Sequence, residues 1–262
     1  GIASMAGSIG QFAALPFAHV MIQGAGWVTS LLVLAATALL ILPLAAGVAG
    51  RPAPPDHGLV RQTVRQAFDE AWASRSFWLL TAGFFVCGFH LAFVAVHLPA
   101  FLADKGFPAW LGATALTLVG LSNIVGSWAF GALGGRYSKK LLLSWLCLAR
   151  AAIFLIFILF PVTETSVLVF GAAMGFLWLG TVPLTSGLVA HMFGTAYMSM
   201  LFGIVFLGHQ VGGFFGAWLA GLFYDAGGSY TAMWWLCVGL GVASAALHWP
   251  IDERPAARLA AA

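Results

Sequence analysis

The sequence predicts an all-α integral membrane protein, a major bundle of about eight transmembrane helices, and three observations carry that prediction. The composition is too apolar for a water-soluble exterior, the apolar runs have membrane-spanning length, and the basic residues fall on one side of those runs.

The chain has 262 residues, 61% of them hydrophobic and 7% charged, where a soluble domain has roughly 25% charged residues. Eleven basic and eight acidic side chains cannot cover the outside of a soluble core of this size, so the surrounding solvent is lipid. A pI near 9.0 raises nucleic acid as a partner. The basic residues, however, sit in short clusters between apolar runs, the pattern of membrane orientation, and this sets nucleic-acid binding aside. Cys87, Cys147 and Cys237 lie in separate runs without CxxC spacing, which argues for small packing residues and against a disulfide or metal site. No cofactor is implied. The chain enters an apolar run directly at Gly1, without a basic n-region or a cleavage site. It therefore reads as a chain lacking its beginning rather than as one with a signal peptide.

Apolar stretches of about 20 residues, enough to cross ~30 Å of hydrocarbon at 1.5 Å per residue, fall at 1–23, 27–48, 77–101, 111–133, 141–161, 166–190, 200–223 and 230–250. Gly-, Pro- and Asp-rich connectors separate them, among them GAG at 24–26, RPAPPDHG at 51–58 and DKGFP at 104–108. Arg51, Arg61, Arg65, Arg75, Arg136, Lys139, Lys140, Arg254 and Arg258 all fall on one side; Lys105 is alone opposite and Arg150 lies within a span. The basic side is expected to be cytoplasmic. In the connector 51–76, Val60, Val64, Phe68 and Trp72 recur every four residues. That spacing predicts an amphipathic helix lying on the cytoplasmic surface.

Arg150 is about ten residues into its span, where a charge costs at least ~2.5–3.5 kcal/mol. All eight acidic residues fall in connectors or at span ends. Two readings fit: a guanidinium that attracts a substrate anion, or a structural Arg satisfied by carbonyls or by an acid on missing helices. His90 and His97, seven residues apart, share a helix face, and His209 adjoins Gln210. These imidazoles fit substrate hydrogen bonding and proton coupling, or polar contacts between helices. Trp178, Thr181 and Pro183 place an aromatic ring, a hydroxyl and a helix breaker near the middle of one span, as cavity lining or as ordinary membrane-helix residues. Gly208, Gly212 and Gly216 repeat at small-xxx-small spacing, a helix-packing face. No paired base and nucleophile, and no metal cluster, marks an enzyme.

Several segments resemble the major facilitator superfamily. GALGGRYSKK (131–140) looks like that family's cytoplasmic loop motif, with Gly131, Arg136, Lys139 and Lys140 in place and Gly135 where the family usually has Asp. HQVGGFFGAWLAGLFYDAGGSYTAMWW (209–235) resembles its eleventh helix and the turn into the twelfth, and GIASMAGSIGQFAALP (1–16) its fifth. The resemblance implies a chain truncated at its N-terminus and holding helices five to twelve of twelve. Residues 1–50 are then the last two helices of the N-terminal half, 51–76 a cytoplasmic linker, 77–250 the C-terminal six-helix half and 251–262 a cytoplasmic tail. FFVCGFHLAFVAVHLPAFLAD (84–104) and LWLGTVPLTSGLVAHMFG (177–194) are similar to bacterial monocarboxylate and oxalate carriers. Those carriers generally have an Arg on the eighth helix, where this sequence has Asn123. The function so implied is proton-coupled secondary transport, by symport or antiport, of a small organic anion such as a monocarboxylate. Alternating access in the inner membrane is the expected mechanism, with the C-terminus cytoplasmic. The implied partners are a small-molecule substrate, a proton, the bilayer and the missing N-terminal helices. Two alternatives stand beside it: an efflux carrier for a neutral or aromatic compound, and a non-transporting receptor or assembly subunit.

Overall fold

The computed structural model describes residues 2–47, 50 and 62–260, and among these the regular structure is entirely helical. Helix α1 (Ile2–Leu39) bends at Gly26, where φ is 79° and ψ 164°, a conformation open to a residue without a Cβ. The Ser30 hydroxyl donates back to the Gly26 carbonyl at 2.8 Å. A one-residue turn separates α1 from α2 (Ile41–Gly47). The expected spans 1–23 and 27–48 thus meet at a kink without an intervening loop. Seven helices among the described residues are long and apolar enough to cross a membrane, the first of them Val20–Gly47. The difference from eight lies at this junction.

The described helix of the linker begins at Val64, and its bulky apolar stripe faces away from the bundle. Residues 51–61, with Val60 and Arg61, lie outside the described residues. Helix α3 (Val64–Trp72) starts at a capping box in which Thr63 and Gln66 exchange side-chain-to-backbone hydrogen bonds. Its inner face is the pair Ala67 and Ala71, each 1% exposed, while Val64, Phe68 and Trp72 point outward. Small side chains let the α3 backbone approach the bundle closely, so the bulky stripe takes the other side. Trp72 stacks on Phe68 and meets Trp78 edge-on.

Six elements form the bundle: α4 (Arg75–Asp104), α5 (Ala109–Leu133), α6 (Lys139–Leu159), the pair α7 (Glu164–Phe176) and α8 (Thr181–Phe193), α9 (Met198–Gly227) and α10 (Thr231–His248). Helices α4 and α9, 30 residues each, pack backbone to backbone. A Cβ on Gly212 would run into the Phe85 carbonyl, one on Gly216 into that of Phe89, and one on Gly88 into that of His209. Helix α5 packs in the same way against α7, where Gly175 lies on Val119. Trp234 fills the centre of an aromatic cluster, with ring centroids 4.7 Å from Phe93, 5.2 Å from Phe101 and 5.2 Å from Phe157.

At the end of the bundle that carries the basic residues, residues 251–260 form a strap ending in the short helix α11 (Ala257–Ala260). Lys140 reaches the Ile251 carbonyl with Nζ at 2.6 Å, and its backbone N–H donates to Glu253 at 2.7 Å. The acid thereby caps the first turn of α6. The Asp252 N–H donates to Ser76, and that of Ala256 to the Met192 carbonyl. Arg258 pairs with Glu70 of α3 at 3.0 Å and also donates to the Phe193 carbonyl. The strap therefore ties α3, α4, α6 and α8 together.

Candidate functional site

The span expected at 166–190 is broken. Helix α7 stops at Phe176, α8 begins at Thr181, and Leu177–Gly180 between them are irregular. Pro183 stands in the first turn of α8, where the N–H it lacks would have had no helical partner. A break inside a membrane strands the last carbonyls of one helix and the first N–H groups of the next, and these must be met by protein.

Two side chains from other helices meet them. Arg150 of α6, 1% exposed, donates from Nη2 to the Leu177 carbonyl at 2.5 Å and to the Trp178 carbonyl at 2.6 Å. A cation at the C-terminal end of α7 also matches the sign of the helix dipole. Asn123 of α5, fully buried, accepts the Leu179 N–H on Oδ1 at 2.9 Å, and the same oxygen accepts from the Ser127 hydroxyl at 3.0 Å. Donor and acceptor thus close on the break from separate helices.

Cys87 of α4 completes the group. Its sulfur accepts from Arg150 Nη1 at 3.1 Å and lies 3.2 Å from the Thr181 hydroxyl on the first residue of α8. His209 of α9 stands close to the Cys87 thiol, although its Nε2 finds no partner at hydrogen-bond geometry. Its Nδ1 is 3.1 Å from Gln210, whose own residue is exposed. Arg150 Nε, Asn123 Nδ2 and Thr185 Oγ1 are buried with no partner among the described residues. The described ion pairs all lie at the bundle's basic end, and none includes Arg150.

Arg150, Asn123, Thr181 and the backbone of Trp178 thus come together at the break, with His209 beside them. The remaining candidates sit elsewhere. His90 is buried and donates to the Cys237 carbonyl at 2.9 Å with its ring against Phe154, an inter-helix contact between α4 and α10. His97 donates from Nε2 to the Ala217 carbonyl at 2.9 Å, and its Nδ1 is 3.1 Å from the Tyr230 hydroxyl, which joins α4, α9 and the start of α10. In the loop between α5 and α6, Gly131 falls in the last turn of α5, Arg136 is exposed, Lys139 opens α6, and Lys140 holds the strap. Gly208, Gly212 and Gly216 face α4. Cys87, read from sequence as a packing residue, is the unforeseen member of the site. The one local signal for the break itself was Gly180 followed by Pro183.

Fold and site together define a multi-pass helical membrane protein whose centre holds a broken helix clasped by buried polar side chains. The chain belongs to the Major Facilitator Superfamily, whose family model matches residues 1–200. It is 29% identical over 236 residues to YcxA of Bacillus subtilis (strain 168), an uncharacterized MFS-type transporter, covering 82% of this chain and 54% of that protein. It is 32% identical over 142 residues to monocarboxylate transporter 13 of Rattus norvegicus, covering 52% of this chain and 32% of the relative. A crystal structure of the E. coli fucose:proton symporter FucP shares the fold, with a TM-score of 0.57, 19% identity, and coverage of 87% of this chain and 55% of FucP. The chain spans about half the length of YcxA and a smaller share of the rat transporter. Its family is one of transporters rather than enzymes.

Proposed function

We propose that this chain forms part of a proton-coupled secondary transporter for a small organic anion such as a monocarboxylate, working by alternating access. One observation supports the anion above all. The charge of Arg150 is met by two carbonyls and a thiol, and by no carboxylate among the described residues. Neutral acceptors satisfy a guanidinium's hydrogen bonds but leave its charge in a low-dielectric setting. A substrate carboxylate supplies the missing opposite charge. The likeness to a transporter named for monocarboxylates supports the substrate class, and the shared fold with a proton symporter is compatible with the coupling. The same reading sets the protein in the inner (plasma) membrane, with the strap and the basic residues facing the cytoplasm. It also pairs residues 77–250 with further N-terminal helices that supply the other wall of the path.

Uptake of radiolabelled lactate, oxalate and benzoate into proteoliposomes tests this, with and without an inside-alkaline pH gradient and with a neutral sugar as control. Saturable uptake of a carboxylate, stimulated by the gradient, is expected for the full-length transporter. Uptake of the neutral compound with none of the carboxylates would overturn the reading. Because alternating access needs two halves closing on one site, the 262-residue chain alone is expected to show no saturable uptake.

A further inference from the structure

Resting on the anion reading above, we infer that Arg150 and Asn123 clasp the α7–α8 break, and that a bound carboxylate opens the clasp by taking Arg150 Nη2 away from the Leu177 and Trp178 carbonyls.

The argument turns on which edges of the guanidinium are free. A carboxylate binds Arg two-pronged either across Nε and Nη2 or across Nη1 and Nη2, because the remaining edge is covered by the side chain's own Cδ. Both edges use Nη2. In this structure Nη2 is already engaged, donating to both the Leu177 and the Trp178 carbonyls. Nε and one hydrogen of Nη1 are unengaged, since Nη1 donates only to Cys87 and Nε is buried without a partner. A carboxylate can therefore meet one unengaged donor without disturbance, but it cannot form its stronger two-pronged pair without releasing at least one carbonyl of the break.

Release has a direction. The carbonyls freed are those at the end of α7, and the sulfur that shares Arg150 also contacts Thr181, the first residue of α8. Asn123 holds the same break by the Leu179 N–H and stays closed on it until the segment moves. Substrate binding and the geometry of α8 are thereby linked through four residues, Leu177–Gly180. Weakening the clasp by a route that leaves Arg150 untouched must then strengthen carboxylate binding, because the open form is the one that binds. A purely structural role for Asn123 predicts no such gain.

The test uses the full-length transporter in lipid nanodiscs, with lactate, oxalate and benzoate as probes. Affinity is read by calorimetry and the break by hydrogen–deuterium exchange of residues 177–185. In the parent protein a binding carboxylate should speed exchange in that segment and leave α4 and α9 unchanged. Asn123→Ala removes one hydrogen bond from the closed form and should tighten carboxylate binding about two- to tenfold, with faster exchange at 177–185 before any ligand is added. Arg150→Lys keeps the charge without the two-pronged edge, so binding should weaken and the ligand-induced change in exchange should vanish. Carboxylate binding with unaltered exchange, or Asn123→Ala binding unchanged or weaker while folded, overturns the clasp and leaves the anion reading standing. Failure of every carboxylate to bind the parent protein overturns the anion reading itself, and the clasp with it.

Discussion

Gly212→Ala should loosen the α4–α9 pair by more than a single methyl group ordinarily does. The added Cβ would land on the Phe85 carbonyl, a backbone atom that cannot swing aside as a side chain would. The two helices must then separate by several tenths of an ångström or more, and the flanking contacts go with them. Gly216 against Phe89 and Gly88 against His209 depend on the same spacing. A gap of 0.5–1 Å forfeits about a quarter to a half of the dispersion energy at each affected contact, and overpacking of this kind typically costs about 1–3 kcal/mol. At about 2–4 °C per kcal/mol for a chain of this size, the midpoint should fall by roughly 2–12 °C. The assay is thermal unfolding of the purified chain in detergent, with Gly203→Ala as control. Gly203 lies on the same helix with nothing within 4 Å of its Cβ position, so the control should be neutral or stabilising by up to ~1 kcal/mol. Equal behaviour of the two variants would show that the close approach of α4 and α9 does not exist as described.

Arg150→Gln should lower folded yield as well as substrate affinity, because the Leu177 and Trp178 carbonyls lose a charged donor worth about 1.5–3 kcal/mol per bond; fluorescence-detected size-exclusion chromatography reads the yield, and normal yield would discount the clasp. Glu70→Ala removes a partly exposed ion pair with Arg258 worth at most ~1 kcal/mol. It should leave the melting temperature nearly unchanged while speeding protease removal of the tail, and an unaltered cleavage rate would count against the strap. A Cys at Tyr137, which is 61% exposed, should resist an impermeant maleimide applied to intact cells, whereas one at Ser229 should react. The three native cysteines are buried and contribute little background, so labelling at Tyr137 from outside would reverse the orientation.

What could be read from the sequence follows from what is local. Span positions and the glycine stripe of α9 rest on composition and period, and the structure places Gly208, Gly212 and Gly216 on one packed face. Arg150 stood out because a charge in an apolar run needs a partner. Its partners were not legible, since they are backbone carbonyls 27 and 28 residues away, and backbone groups leave no mark in a pattern of side chains. The break at Leu177–Gly180 showed only as the helix breaker Pro183: the irregular segment is as apolar as the helices around it, and its stability comes from α5 and α6. The inner face of α3 left a fainter mark in the sequence. The helix's bulky residues define the visible period, but burial at a close interface goes to the smallest side chains, Ala67 and Ala71.

The strap has a mechanical consequence. By joining Arg258 to Glu70 and fixing its own backbone to α4, α6 and α8, it fastens the linker helix to the bundle, so that α3 travels as an outrigger. Nine residues of helix make a rigid arm of about 13 Å, with Val64, Phe68 and Trp72 along its outer edge. Any tilt of the bundle carries that apolar edge with it.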